Sequence, residues 1–249
     1  MSPHLFKLPA LCAAVLLAAT NCFSQTIQID TNQKQSIVES TVTGFYKAIG
    51  EQSRLYNGPE YNFYDPIIKG NAYFSDAINF VQGTVEYDGF IYKEVPMMYD
   101  MYKDYIVVLL PNKSAKFRLL SDRVQSVDLL DHHFVYVNKD DLPNTSINSG
   151  FYDQLYKNKS EVLIKRSKNI QGSSGISGAV ENYFTAKKEM FIKNKGKFYS
   201  VGSEGSLLNA FKDKKKELKQ YLRNNKLKFG DDQEQTMVKV AAYYDQLTL

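Results

Sequence analysis

Cysteine, histidine and tryptophan are nearly missing from this chain: its 249 residues include 2 Cys, 3 His and no Trp. Both cysteines, Cys12 and Cys22, lie in the first 24 residues, so a chain shortened past that point holds none. Disulfide staples and a cysteine nucleophile are then excluded. Stability must come from a packed core, which the remaining stretch of about 225 residues is long enough to supply. A GxSxG nucleophile elbow and Gly-rich phosphate cradles are also missing.

Past residue 24 the histidines reduce to His132 and His133. With Asp128 and Asp131 they form the cluster that has metal-ligand character. Adjacent residues at the start of a strand face opposite sides, however, so the two imidazoles cannot easily share one ion. A turn aspartate followed by one inward and one outward histidine is the expectation. No metal and no cofactor are predicted.

What is present begins with an address. Met1 to Lys7 carries one Lys and no acid, and Leu8 to Thr20 is an apolar run broken only by Pro9 and the final Thr. Small residues at Cys22 and Ser24 suit cleavage before Gln25. A spanning helix needs about twenty apolar residues, more than this run offers. Residues 1–24 therefore read as a signal peptide, in preference to a buried helix, because no polar face interrupts the run. A lipoprotein reading would acylate Cys22, with Asn21 an ill-fitting neighbour. Export implies a periplasmic or outer-membrane-associated location, or secretion. The mature chain is not expected to span a membrane or to bind nucleic acid.

The mature composition suits a sheet: 18 Tyr and 15 Phe stand in the whole chain, and aromatic side chains fit a pleated, half-buried surface. Charge is unevenly spread. Residues 184–229 hold 13 Lys and Arg against 4 acids.

Residues 25–75 are read as a polar N-terminus, a short helix ending near Gly50 and an aromatic-rich loop over 55–74. Residues 76–202 are read as the antiparallel β domain. A period of two starts near residue 78, and Asp88-Gly89 supplies the positive φ angles of a tight hairpin. Segments 104–110, 115–121, 124–130 and 133–139 come next. Loop 140–150 carries Pro143 and Gly150, and a further hairpin pairs FYDQLYK with 160–170. GSSGISG (172–178) is read as a loop holding Ser174, and two last strands flank Asn194-Lys195-Gly196. Residues 203–249 turn helical, with Asp213 placed to cap a fresh turn and Asp231 and Glu234 spaced as a capping box. The fold class predicted is α+β, mainly β: an antiparallel meander of about 8–10 strands, curled or barrel-like, with an N-terminal helix and a C-terminal helical pair packed on it. A small outer-membrane barrel is disfavoured, because Lys and Glu fall on strand faces and the chain ends in a helix.

Three stretches carry a resemblance: Arg54-Leu-Tyr-Asn-Gly58, Val95-Pro-Met-Met-Tyr-Asp100 and the run from Ser206 to Tyr221. In these the chain resembles exported proteins of Bacteroidota that carry no known activity. The resemblance implies an envelope or secreted location in a Gram-negative bacterium and implies no particular chemistry.

Two candidate surfaces remain. Tyr56, Tyr61, Tyr64 and Tyr73 of the aromatic loop are candidates for ligand binding by stacking, against the alternative that they plug one end of the sheet. Lys214, Lys215, Lys216 and Lys219 are candidates for contact with an anionic surface, against the alternative of a solvated helix face. The function expected is an exported envelope protein binding a ligand or partner without catalysis. The alternative is a secreted hydrolase whose carboxylates converge only in the fold.

Overall fold

Alternation of apolar and polar residues, punctuated by turns, builds ten strands in one sheet among the described residues. The structure, a computed structural model, describes residues 31–50, 53–141, 147–174 and 180–248. The segment read as a signal peptide and its expected cleavage site, Cys22, Pro143 and residues 175–179 of the Gly/Ser segment lie outside the described residues. Helix α1 (Thr31–Ile49) begins earlier than the apolar spacing suggested. It falls for the most part in a unit ending at Gly44, whereas the sheet belongs to a second unit, Phe45–Leu249.

This second unit is built on β1 (Val81–Tyr87), β2 (Phe90–Asp100), β3 (Tyr105–Leu109), β4 (Lys116–Arg118), β5 (Val124–Leu129), β6 (His132–Val137), β7 (Gly150–Lys157), β8 (Ser160–Ser174), β9 (Val180–Asn194) and β10 (Lys197–Ser200). Every pairing is antiparallel, in the order β10-β9-β8-β7-β6-β5-β1-β2-β3-β4. Two meanders are thus joined along β1 and β5, and the sheet is open, with β4 and β10 at its edges. Asp88 and Gly89 both take positive φ, as the two-residue turn requires. Leu130 and Asp131 do the same between β5 and β6 without a glycine. Residues 172–174, expected in a loop, instead prolong β8 and pair with 180–182 of β9.

The Cα register aligns one row across the sheet: Tyr92, Val85, Val127, Phe134, Asp153, Ile164 and Met190. Side chains of such a row share a face. On its β1–β6 side the row joins one apolar cluster, centred on Tyr99, Val127, Phe134 and Phe151. On its β8–β9 side it joins a second, where Val162, Ile164, Met190 and Ile192 meet the C-terminal helices α2 (Glu204–Ala210), α3 (Lys215–Asn224) and α4 (Gln233–Leu247). The helices bury Leu207, Leu218, Leu222, Met237, Val240 and Tyr244 there, each side chain of this size contributing about 1.5–3 kcal/mol by leaving water. Their caps differ from expectation by local competition. Asp232, not Asp231, caps α4 by accepting from the Gln235 amide. Asp213 caps no helix; it accepts the Tyr244 hydroxyl and the Lys195 ammonium instead.

The opposite face of β2–β3 is covered by the aromatic segment, where Tyr61, Ala72 and Tyr73 pack on Met98 and Val107. Gly58 is needed at the start of this cover, because a Cβ there would collide with the Arg118 carbonyl.

Candidate functional site

A single charged residue interrupts the apolar row. Asp153 stands between Phe134 and Ile164 with 1% of its surface exposed. A buried carboxylate without a counter-charge costs several kcal/mol, and Arg166 on the same face supplies one. Arg166, two residues beyond Ile164, reaches Asp153 Oδ2 through Nε at 2.8 Å and Nη2 at 2.7 Å. His132, two residues before Phe134, places Nδ1 2.7 Å from the same oxygen. Asp153 Oδ1 is buried and finds no hydrogen-bond partner among the described residues, so Oδ2 carries the whole interaction.

Arg166 also binds helix α4. Its Nη1 and Nη2 donate to the two carboxylate oxygens of Glu234 at 3.1 and 2.7 Å, a bidentate fork that fixes geometry as well as charge. Glu234 accepts Lys188 too, at 3.2 Å. Burial would weaken both charges. The hydrogen bonds from Arg166 and then Lys188 nevertheless hold the Glu234 carboxyl below its usual value. Glu234 and Asp153 likewise outweigh desolvation at Arg166 and hold its pKa above the usual guanidinium range.

Beside this seam lies a cavity of about 420 Å³ lined by Phe74, Ser75, Asp76, Met101, residues 166–168 and residues 186–188. Its cations are Arg166, Lys168, Lys187 and Lys188, and Asp76 is the one acid of the lining. Lys168 is 7% exposed and is fully engaged: its Nζ donates to the Asn71 carbonyl at 2.8 Å, Asn71 Oδ1 at 3.2 Å and Asp76 Oδ1 at 2.6 Å. Lys187 and Lys188 are exposed, and each has one carboxylate partner, Glu189 at 3.3 Å and Glu234 at 3.2 Å. Ser75 and Asp76 both sit at positive φ, a strained conformation for such residues. Phe74, Met101 and Ala186 provide the apolar surface.

The residues singled out from sequence fall elsewhere. Tyr61 and Tyr64 donate to Asp100 Oδ2 at 2.9 and 2.6 Å, and Tyr73 lies 3.3 Å from the Tyr61 hydroxyl. Asp100 is completely buried, and its Oδ1 accepts the Tyr102 and Lys103 amides. Burial first, and then Asp100, pushes the Tyr64 phenol up; for Tyr61, burial acts together with both Tyr73 and Asp100. These three rings fasten the loop to the sheet, while Tyr56 is half-buried beside the β1–β6 core. Tyr64 and Tyr73 also line a second cavity, of about 310 Å³, with Phe63, Ile78 and Phe184.

Lys215, Lys216 and Lys219 are exposed along α3, with Lys214 half-buried just before it. Lys214 pairs with Glu217 at 3.6 Å, and Lys215 donates to Asn209 at 2.8 Å. His133 binds Asp128 at 2.6 Å and His132 binds Asp153, so each imidazole has its own carboxylate. No group of three His, Cys, Asp or Glu side chains arranged for a metal ion occurs among the described residues.

Sequence reasoning missed Asp153, Arg166 and Lys168, and placed Glu234 only in a helix cap, whereas it binds Arg166. The signal was available in strand parity: Val162, Ile164, Arg166 and Lys168 share one face, so the charges continue the buried side of the strand.

The Arg166–Glu234 fork has a pH signature. Glu234 is held below its ordinary value of 4.5 in the folded chain, so its contribution to stability is complete above that pH. It is lost as pH falls from there through the lower folded value. Asp213, lowered first by its Lys195 hydrogen bond, acts with the same sign from a more exposed position. Urea midpoints measured on descending from about pH 5 should drop, and Glu234→Gln should flatten that drop; an unchanged slope would refute the assignment.

No protein-family model, no curated protein and no solved structure matches this chain.

Proposed function

We propose that the chain is an exported envelope protein that binds a small anionic ligand with an apolar stem, without turning it over. The observation that carries this reading is the cavity against β8 and β9, lined by the cations Arg166, Lys168, Lys187 and Lys188, by one acid, Asp76, and by the apolar Phe74, Met101 and Ala186. A pocket of this kind suits a carboxylate on a short aliphatic chain: burial supplies affinity and the ammonium groups set polarity and orientation. Export is supported by the Leu8–Thr20 run and the small residues at Cys22 and Ser24. Among the described residues no helix is long and apolar enough to cross a membrane.

A second reading, a secreted hydrolase, has the His132–Asp153 contact in its favour. A carboxylate on Nδ1 orients an imidazole so that Nε2 acts as a base. It stands second because no hydroxyl or thiol hydrogen-bonds that ring among the described residues. Hydrolysis of 4-nitrophenyl acetate above the solvent rate, abolished by His132→Gln, would reverse that order; the expected result is no enzymatic rate.

Titration calorimetry with octanoate should show one saturable site. Octanol, which keeps the stem and lacks the charge, should bind about tenfold or more weakly, and Lys188→Gln should weaken octanoate in the same direction. Equal binding of octanoate and octanol, or no binding, would overturn the proposed ligand class. For export, intact mass of the protein isolated from its native host should correspond to a chain starting at Gln25. A retained Met1–Ser24 in a cytosolic fraction would end that part of the reading.

A further inference from the structure

The cavity is bounded on one side by a stretch of sheet edge that has no partner strand. In an antiparallel ladder, alternate residues of an edge strand turn their N–H and C=O outward. For β9 the parity is set by its flanking contacts. Phe184 N donates to the Lys69 carbonyl, Lys69 N donates to the Asn182 carbonyl, and Val201 N donates to the Met190 carbonyl. Residues 182, 184 and 190 therefore face outward, and Ala186 and Lys188 do so with them.

Lys69 covers the edge at one end, and Val201 with β10, which pairs only with 191–194, covers it at the other. Between these covers the outward backbone groups of Ala186 and Lys188 have no backbone partner among the described residues. From Phe184 to Met190 the open run is about 20 Å long at the usual strand rise, room for an extended segment of about five residues.

This stretch is the cavity wall. Residues 186–188 line it, and Ala186 and Lys188 share the face of Arg166 and Lys168 through the pairs Arg166–Lys188 and Lys168–Ala186. A strand added to β9 would point every second side chain over that face, toward the cations. We infer that the natural ligand is an extended acidic peptide segment: it adds a strand to β9 at Ala186–Lys188 and inserts a Glu or Asp side chain into the cavity. Main-chain hydrogen bonds to the edge give affinity, and one carboxylate beside Arg166 and Lys188 gives selection, the usual division in strand addition. A Glu side chain is itself a carboxylate on a short aliphatic stem, so this inference rests on the binding reading above and names its ligand.

The test uses acetyl-Thr-Val-Glu-Val-Thr-amide, which has no terminal charge, with octanoate as the probe of the cavity alone. The peptide should bind, and its Gln counterpart should bind about tenfold more weakly. Two versions N-methylated at alternate amides, one for each register, separate edge pairing from cavity filling. One of them should lose about tenfold or more while the other keeps its affinity, since only one set of amides faces β9. Ala186→Pro removes an outward N–H that the fold itself does not use, and it should weaken the peptide while leaving octanoate unchanged.

Peptide binding that survives both N-methylated versions and Ala186→Pro would overturn strand addition and leave the octanoate site standing. Octanoate binding without any peptide binding would do the same, and would assign Lys187 and Lys188 to guarding the edge against self-pairing. Failure of both probes would remove the inference together with the binding reading beneath it.

Discussion

The charge of Asp153 is the constraint around which the second half of the molecule is arranged. It occupies a core position in the row that crosses the sheet, with Phe134 on one side and Ile164 on the other. Leaving such a carboxylate without its partner costs about 3–5 kcal/mol, a large part of a domain's total stability. Arg166 must therefore lie flat along the same face, and once there its remaining donors select Glu234 of α4. The helical layer is thereby registered on the sheet by a directional contact, where apolar packing alone would tolerate sliding. Lys188 joins the same carboxylate from β9. A row of Leu or Val at these positions would give two apolar clusters fused into one. The polar seam keeps them distinct and leaves a charged wall where they meet.

A second buried carboxylate does comparable work on the other face. Asp100 receives two phenols and two backbone amides, enough donors to hold a charge in an apolar setting. The phenols belong to Tyr61 and Tyr64, so the loop that carries them is drawn down onto β2 and β3. The loop then continues to Asn71 and Asp76, which clasp Lys168 of β8. The cavity wall is thus assembled from both ends of the unit: the aromatic loop supplies Phe74 to Asp76, and the long β8–β9 hairpin supplies the cations. Ser75 and Asp76 hold positive φ where these two parts meet, strain that the Lys168 contact with Asp76 helps to sustain.

The order of strands along the chain was largely legible, because it rests on local signals. Asp88-Gly89 and Lys195-Gly196 announce hairpins by residues that tolerate positive φ, and both turns occur where those residues stand. The Leu130-Asp131 turn adopts the same conformation without glycine and is fixed by the pairing of β5 with β6 on either side of it. The joining of β1 to β5 has no such signal, since it depends on surfaces far apart in sequence. The candidate site was hidden for a different reason. Charged residues in strands are ordinarily assigned to the solvent side, a rule under which Arg166 and Lys168 count as surface residues. The parity of Val162 and Ile164 overrides that habit, but only a partner such as Asp153 makes the override tolerable, and Asp153 looks solvent-facing by the same rule. The tyrosines drew notice because rings cluster there; the structure uses Tyr61, Tyr64 and Tyr73 to fasten the loop.

The same geometry bears on whether the seam binds or catalyses. A base needs a lone pair that the fold has not already committed, and a partner oriented toward the reacting group. At His132 the orienting carboxylate is shared: Asp153 Oδ2 serves the imidazole and two guanidinium nitrogens at once. An arginine in that position competes for the negative charge that would stabilise an imidazolium, which lowers the return from the dyad. The arrangement favours a fixed electrostatic wall over proton transfer. Lys187 and Lys188 differ from the deeper cations in being exposed at the rim next to an unpaired edge. Charge at such an edge repels a second copy of the same strand while attracting an acidic one. Lys188, which shares the cavity face with Arg166, then serves both the protection against self-association and the selectivity of the site.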